Sequence, residues 1–169
     1  RISEWVDAAS WGSLLASGRL QNLHLTLGLL HQMALILNSL HEKSQIIPHL
    51  ILNDIIVTEE ASGDLKIKLD YKFSRFLDPK LDRPGSMLKR LLAVHPDILD
   101  DRPLDFRTDI WSLGKIFVEI LSADLEVDDY LDKVKELSLP HDLEILLKVM
   151  LADDPDLRPQ SLKQVADAL

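Results

Sequence analysis

The sequence predicts a mainly α-helical fold, a helical bundle packed around one central buried helix and carrying a small β-hairpin. Three observations carry that expectation. Leu23, Leu27, Leu30, Ala34, Leu37 and Leu40 follow one another at intervals of four, three, four, three and three, the stripe of a long helix with one buried face. Residues 110–121 are apolar at Leu113, Ile116, Phe117 and Ile120 and carry few charges, so that helix is expected to be central. Leu65-Lys66-Ile67-Lys68-Leu69 alternates at period two behind the turn sequence Ala61-Ser62-Gly63-Asp64, as a half-buried strand does on leaving a hairpin.

Taken in order, Arg1-Ile2-Ser3-Glu4-Trp5-Val6 alternates like a strand entered midway, which implies a once longer polypeptide, and it breaks at Asp7-Ala8-Ala9-Ser10. Trp11, Leu14 and Leu15 then recur at helical spacing up to Gly18, a C-cap residue, which gives a strand, a turn and a short helix. The long helix from Leu23 is expected to end near Glu42-Lys43-Ser44. Two β-branched clusters, Ile46-Ile47 and Ile55-Ile56-Val57, join residues 65–69 in the hairpin region. Across residues 73–101 no period holds, and Pro79, Pro84, Gly85 and Pro96 break any helix. Irregular backbone with one helical turn around residues 87–91 is expected there, and so long a loop is usually functional or disordered. Thr108-Asp109 offers a polar start to the helix at 110–121. Two further helices are expected at about 125–137 and 143–151, and Ser161-Leu162-Lys163-Gln164 is a capping-box pattern opening the last one. With no internal repeat and no Gly/Ser linker, residues 1–169 are expected to form a single domain.

Composition excludes several functions. The 169 residues are 46% hydrophobic and 28% charged, in keeping with a folded globular chain. Nineteen Lys and Arg stand against 28 Asp and Glu, a net charge of -9, so nucleic acid and anionic membranes are not expected partners. The absence of cysteine removes disulfides, thiolate chemistry and Cys-based zinc sites. No run of 18 apolar residues and no secretory signal pattern occurs, and a cytoplasmic location is the expectation. His24 and His31 are seven positions apart, about 10 Å along a helix, too far to share a metal.

Three segments in order then resemble the C-terminal lobe of eukaryotic-type protein kinases. Asp109-Ile110-Trp111-Ser112-Leu113-Gly114 is similar to the family's DxWSLG signature at the start of its central helix. Twelve positions earlier, Asp97 in Val94-His95-Pro96-Asp97-Ile98-Leu99 is similar to the APE motif, and Asp154-Pro155-Asp156-Leu157-Arg158-Pro159 matches the DPxxRP element before the final helix. Leu40-His41 resembles the end of the helix before the catalytic loop, and Glu4 to Ser10 resembles the hinge between lobes. The likeness spans nearly the whole chain and implies a kinase-like C-lobe that begins near the hinge, without an N-lobe. It also implies that Asp97 pairs with Arg158 and that Asp109 accepts backbone hydrogen bonds from the catalytic loop. One of those bonds is in doubt because Pro48 has no N–H. Asp97, Asp109, Trp111, Gly114 and Arg158 are thus the expected structural residues.

The catalytic positions depart from the family pattern. Alignment back from Asn53-Asp54-Ile55 puts the HRD triplet on Ile47-Pro48-His49, so His49 occupies the place of the catalytic Asp, and Ile51 that of the catalytic-loop Lys. Asp54 replaces the metal-binding Asn, and DFG becomes Asp70-Tyr71-Lys72. Losing the proton acceptor, the lysine and the ATP-grasping lobe together is expected to remove several orders of magnitude of rate, since general base catalysis alone is worth about 10²–10⁴-fold. A catalytically inactive pseudokinase is therefore expected, not an enzyme, serving as a protein–protein interaction or regulatory scaffold in signalling. No cofactor is expected; Asp54 and Asp70 are the candidate Mg²⁺ ligands, against the plainer reading that they are solvated or paired with Lys66, Lys68 or Lys72. The expected partner is another protein or domain, or a second copy meeting the orphaned lobe face, with Trp5 and Trp11 as candidate anchors, against an equally weighted reading in which both tryptophans pack in the core. The alternative is the C-lobe of a larger, divergent Ser/Thr protein kinase that binds ATP and Mg²⁺ through a missing N-lobe. A stand-alone C-lobe-like adaptor is a third reading.

Overall fold

A computed structural model describes residues 8–9, 11–47, 50–69, 95–100 and 102–169. In chain order the elements are strand β1 (Ala8–Ala9), helix α1 (Trp11–Ala16), a 3₁₀ turn (Arg19–Gln21), helix α2 (Leu23–His41), a second 3₁₀ turn (Leu52–Asp54), and strands β2 (Ile55–Glu59) and β3 (Leu65–Leu69). Then come helices α3 (Pro96–Leu99), α4 (Phe106–Ser122), α5 (Tyr130–Glu136) and α6 (His141–Met150), a third 3₁₀ turn (Pro155–Leu157), and helix α7 (Leu162–Ala168). The expected mainly helical fold is what forms. The helical turn expected at residues 87–91 lies outside the described residues.

Asn22 opens α2 by accepting the Leu25 N–H on its side chain at 3.2 Å, which satisfies one orphan donor of the first turn. The stripe read from the sequence faces inward: Leu30, Ala34 and Leu37 are buried, with Leu29 and Met33 beside them. By length and composition α2 is long and apolar enough to cross a membrane, and it packs against α7 and β3. The helix is left through Ser44 at φ 56°.

Helix α4 begins earlier than the sequence predicts. Asp105 Oδ1 accepts the Arg107 N–H at 2.8 Å, and Asp105 N–H donates to Thr108 Oγ1 at 3.3 Å, so the cap is Asp105-x-x-Thr108 rather than Thr108-Asp109. Every residue from Thr108 to Gly114 and from Ile116 to Ile120 is buried. The helix stops at Ala123, which takes a left-handed φ of 53°. The helix expected at 125–137 is shorter, because Asp124 Oδ1 accepts the Glu126 N–H at 3.0 Å and holds that stretch in a turn. Asp129 then caps α5 through the Asp132 N–H at 2.8 Å. Helix α6 starts at His141, two positions before the expected Leu143, and Ser161 caps α7 by accepting the Gln164 N–H at 3.2 Å.

The sheet is antiparallel in the order β1-β2-β3. Ile55 pairs with Leu69 and Val57 with Ile67, while Ala9 pairs with Val57 on the other side. Gly63 takes the turn at φ 87°. Two expectations are corrected here: Ala8-Ala9, read as a turn, is a strand, and Ile46-Ile47 is not one. Ile47 is buried, but its N–H is directed to a carboxylate on α4 instead of a ladder. On the far side of β3, Gln32 on α2 acts as a strand partner: Nε2 donates to Leu65 O and Oε1 accepts the Ile67 N–H, both at 3.2 Å.

Candidate functional site

Asp109, in the first turn of α4, has no exposed surface. A carboxylate so placed must be hydrogen-bonded, and the segment after α2 supplies the donors. Ile47 N–H reaches Oδ1 at 2.9 Å and Oδ2 at 2.8 Å, and His41 Nε2 donates to Oδ2 at 2.9 Å. The His41 ring meets Phe106 edge-on at 6.0 Å. Asp109 therefore fixes the point where the chain enters the segment aligned with the catalytic loop. Pro48 and His49 lie outside the described residues.

The loop continues with Leu50 and Leu52 buried and Ile51 between them half-buried. The Ile51 N–H donates to Asp54 Oδ2 at 3.3 Å, so the candidate metal ligand Asp54 braces the turn that launches β2. Asp70, its expected companion, lies outside the described residues. Among the described residues no group of three His, Asp or Glu side chains is placed to hold a metal.

The second anchor joins three stretches of chain. Arg158 and Asp97 are 2% and 1% exposed, and they meet through two parallel bonds: Arg158 Nη2 to Oδ1 at 2.7 Å and Nη1 to Oδ2 at 2.8 Å. Bidentate pairing of this kind is strong and directional. The other guanidinium donors go to backbone carbonyls: Nε to Ala152, Nη1 to Arg107 and Nη2 to Asp153, at 2.8, 3.0 and 3.1 Å. Thr108 Oγ1 adds a bond to Asp97 Oδ2 at 3.0 Å. Burial pushes the Asp97 carboxyl up, but the Arg158 hydrogen bonds and charge, with Thr108, outweigh it and hold the group below its ordinary value.

Two features of this region carry no signal in residue spacing. His95 is buried against the Trp111 ring at 4.6 Å, accepts the Asp97 N–H on Nδ1, and donates from Nε2 to Thr108 O, both at 3.2 Å. Further along α4, Glu119 is buried and accepts from Tyr130 Oη at 3.0 Å, with Lys115 Nζ 3.8 Å away. Burial raises the Glu119 carboxyl and also the Tyr130 phenol that faces it.

Trp111 lies between the His95 and Tyr130 rings. Gly114 lets α4 approach α6: a Cβ there would lie 3.0 Å from Met150 Cβ and 3.4 Å from Leu151 Cγ. Trp11 is corrected as a partner anchor, since it is 6% exposed and its Nε1–H donates to Ile55 O at 2.7 Å. Its indole belongs to the packing of α1 on the sheet. Trp5 lies outside the described residues.

No protein-family model matches the chain. It is 26% identical to serine/threonine-protein kinase pkn2 of Myxococcus xanthus, with 99% of this chain aligned to 23% of that protein. It is 25% identical to serine/threonine-protein kinase Nek7 of Arabidopsis thaliana over 77% of this chain and 24% of that one. With serine/threonine-protein kinase dst2 of Dictyostelium discoideum it shares 29% identity, covering 73% and 10%. The chain thus spans about a quarter or less of the length of these curated relatives. Among solved structures, a double mutant of the Mycobacterium tuberculosis PknI kinase domain superposes with a TM-score of 0.70 at 18% identity, covering 97% of this chain and 61% of that one.

The relatives' names overturn the expectation that this chain is not an enzyme. That expectation leaned on the lost proton acceptor, the lost lysine and the N-lobe that these residues lack, whereas phosphoryl transfer depends mostly on positioning and electrostatic stabilisation. The motifs in order, the Asp109 anchor on the central helix, the Asp97–Arg158 anchor beside it and the superposition show that this chain has the fold of a protein-kinase C-terminal lobe.

Proposed function

We propose that this chain is the C-terminal lobe of a larger, divergent serine/threonine protein kinase, working with an N-terminal lobe that grasps ATP. The observation that carries the reading is the pair of buried anchors. Asp109 holds the entry to the loop aligned with the catalytic loop, and Arg158 holds the end of the segment that runs from residue 70 to Asp97. Both are positioning devices, and positioning is what this reaction needs most from the protein. The relatives' names support the same reading.

ATP with Mg²⁺ is the phosphate donor that the reading implies. Mg²⁺ demands near-octahedral oxygen coordination, and the described residues offer Asp54 alone among the aligned metal positions, so they do not by themselves make a metal site. Asp54 has instead a structural bond to Ile51.

The test is transfer of radiolabelled γ-phosphate to Ser/Thr protein substrates, using the protein with all of its native upstream sequence. Mg²⁺-dependent incorporation is the expected result, lost when Mg²⁺ is chelated and restored when it is returned. Neither incorporation nor Mg²⁺-dependent nucleotide binding would be the result that removes the proposal.

A further inference from the structure

The resemblance aligns His95-Pro96-Asp97 with a family Ala-Pro-Glu, so this chain differs from the motif at both ends. The acid is one methylene shorter, and the residue two before it carries an imidazole. Arg158 cannot move to meet a shorter acid, because three backbone carbonyls, those of Ala152, Arg107 and Asp153, hold its guanidinium in place. The carboxylate must come to the arginine, and the backbone carrying it must be drawn toward α4.

His95 is placed to do that. It precedes Pro96, the first residue of α3, so the Asp97 N–H is one of the first-turn donors that have no intrahelical partner. Nδ1 accepts that N–H at 3.2 Å while Nε2 donates to Thr108 O at 3.2 Å on α4. The ring lies against Trp111 at 4.6 Å, so the imidazole is fixed on its face as well as at both nitrogens. Thr108 supplies both the carbonyl that holds His95 and the hydroxyl that steers Asp97 Oδ2. Neutral imidazole with the proton on Nε2 is the form that fits these partners, since Nδ1 faces a donor.

We propose that His95 is a positioning residue which compensates for the short acid: it draws the Asp97 backbone toward α4 so that an aspartate makes the two-bond contact with Arg158 that the longer acid of the motif would otherwise be needed for. The two departures from the motif are then one coupled exchange, and neither is tolerated well alone.

A double-mutant cycle on the full chain, read by thermal unfolding, tests this. His95→Ala alone lowers the melting temperature by about 5 °C, through loss of two buried hydrogen bonds. Asp97→Glu alone also lowers it, because the added methylene must fit beside a guanidinium that cannot retreat. Combined, the two changes recover at least half of the loss caused by His95→Ala, which is the coupling a merely structural histidine would not produce. Additive losses in the double variant overturn the proposal. Should His95→Ala fail to fold, the readout is whether adding Asp97→Glu restores folding, and failure of both overturns it equally. A measurement free of substitutions is the ¹⁵N spectrum of the imidazole: a proton on Nε2 with an unprotonated Nδ1 is expected, and the opposite tautomer removes the contact on which the inference stands.

Discussion

At the scale of single residues, Arg158 shows how a buried charge is made tolerable. Each of its five N–H groups has an acceptor, two on Asp97 and three on carbonyls. Removing one member of such a pair leaves the other ionised and out of water, which costs more than the pair contributes. Arg158→Ala is therefore expected to lower unfolding free energy by about 3–5 kcal/mol, measured by urea denaturation, while exposed ion pairs such as Lys163 with Asp167 move it by less than about 1 kcal/mol. Smallness at Gly114 is needed for a different reason. A methyl group there would press on Met150 Cβ at 3.0 Å, and since that atom is fixed to its backbone, the helices must part. Gly114→Ala is expected to cost about 1–3 kcal/mol in the same assay, although alanine is the better helix former.

At the scale of elements, what the sequence reveals and what it hides follow from how each element is specified. Helix α2 is legible because its buried face repeats: Leu30, Ala34 and Leu37 recur in register, and burial follows them. Helix α4 is legible in its middle, and Phe106 extends its apolar spacing back from Ile110, Leu113 and Phe117, but the boundary itself is set by the side chain of Asp105. Asp105→Ala is expected to cost about 1–2 kcal/mol by chemical denaturation, at the upper end because Arg107 also leans on that carboxylate. The 124–129 stretch escapes periodicity for a similar reason: just past the end of one helix Asp124 Oδ1 accepts the Glu126 N–H in a turn, and Asp129 then begins the next. Two alanines in β1 have no strand signature of their own and form one only because β2 is there to pair with. In the candidate site, Asp97 and Arg158 stand in quotable motifs, whereas His95, Thr108 and the Glu119–Tyr130 contact depend on separations in space that no spacing encodes.

At the scale of the whole molecule, buried carboxyls give stability two opposed pH dependences. Asp97 is held below its ordinary value of 3.8, so its contribution is present above that value and is lost as pH falls through the lower folded pKa. Glu119 is raised above its ordinary 4.5 by burial. It holds a proton more tightly when folded, so its contribution is present below that value and is lost as pH rises through the higher folded pKa. Glu119→Gln keeps an acceptor for Tyr130 and carries no charge. It is expected to flatten the decline of stability above about pH 4.5 while leaving the acid limb intact, as read from urea midpoints across pH; an unchanged upper limb would place the cause elsewhere. The sheet poses a problem of another kind, since three short strands end in an unpaired flank, and such flanks invite foreign chains to add on. Here the amide of Gln32 already occupies the outward valences of Leu65 and Ile67. A side chain from a neighbouring helix thereby does the work of a fourth strand, and that stretch offers no template from which a fibre could grow.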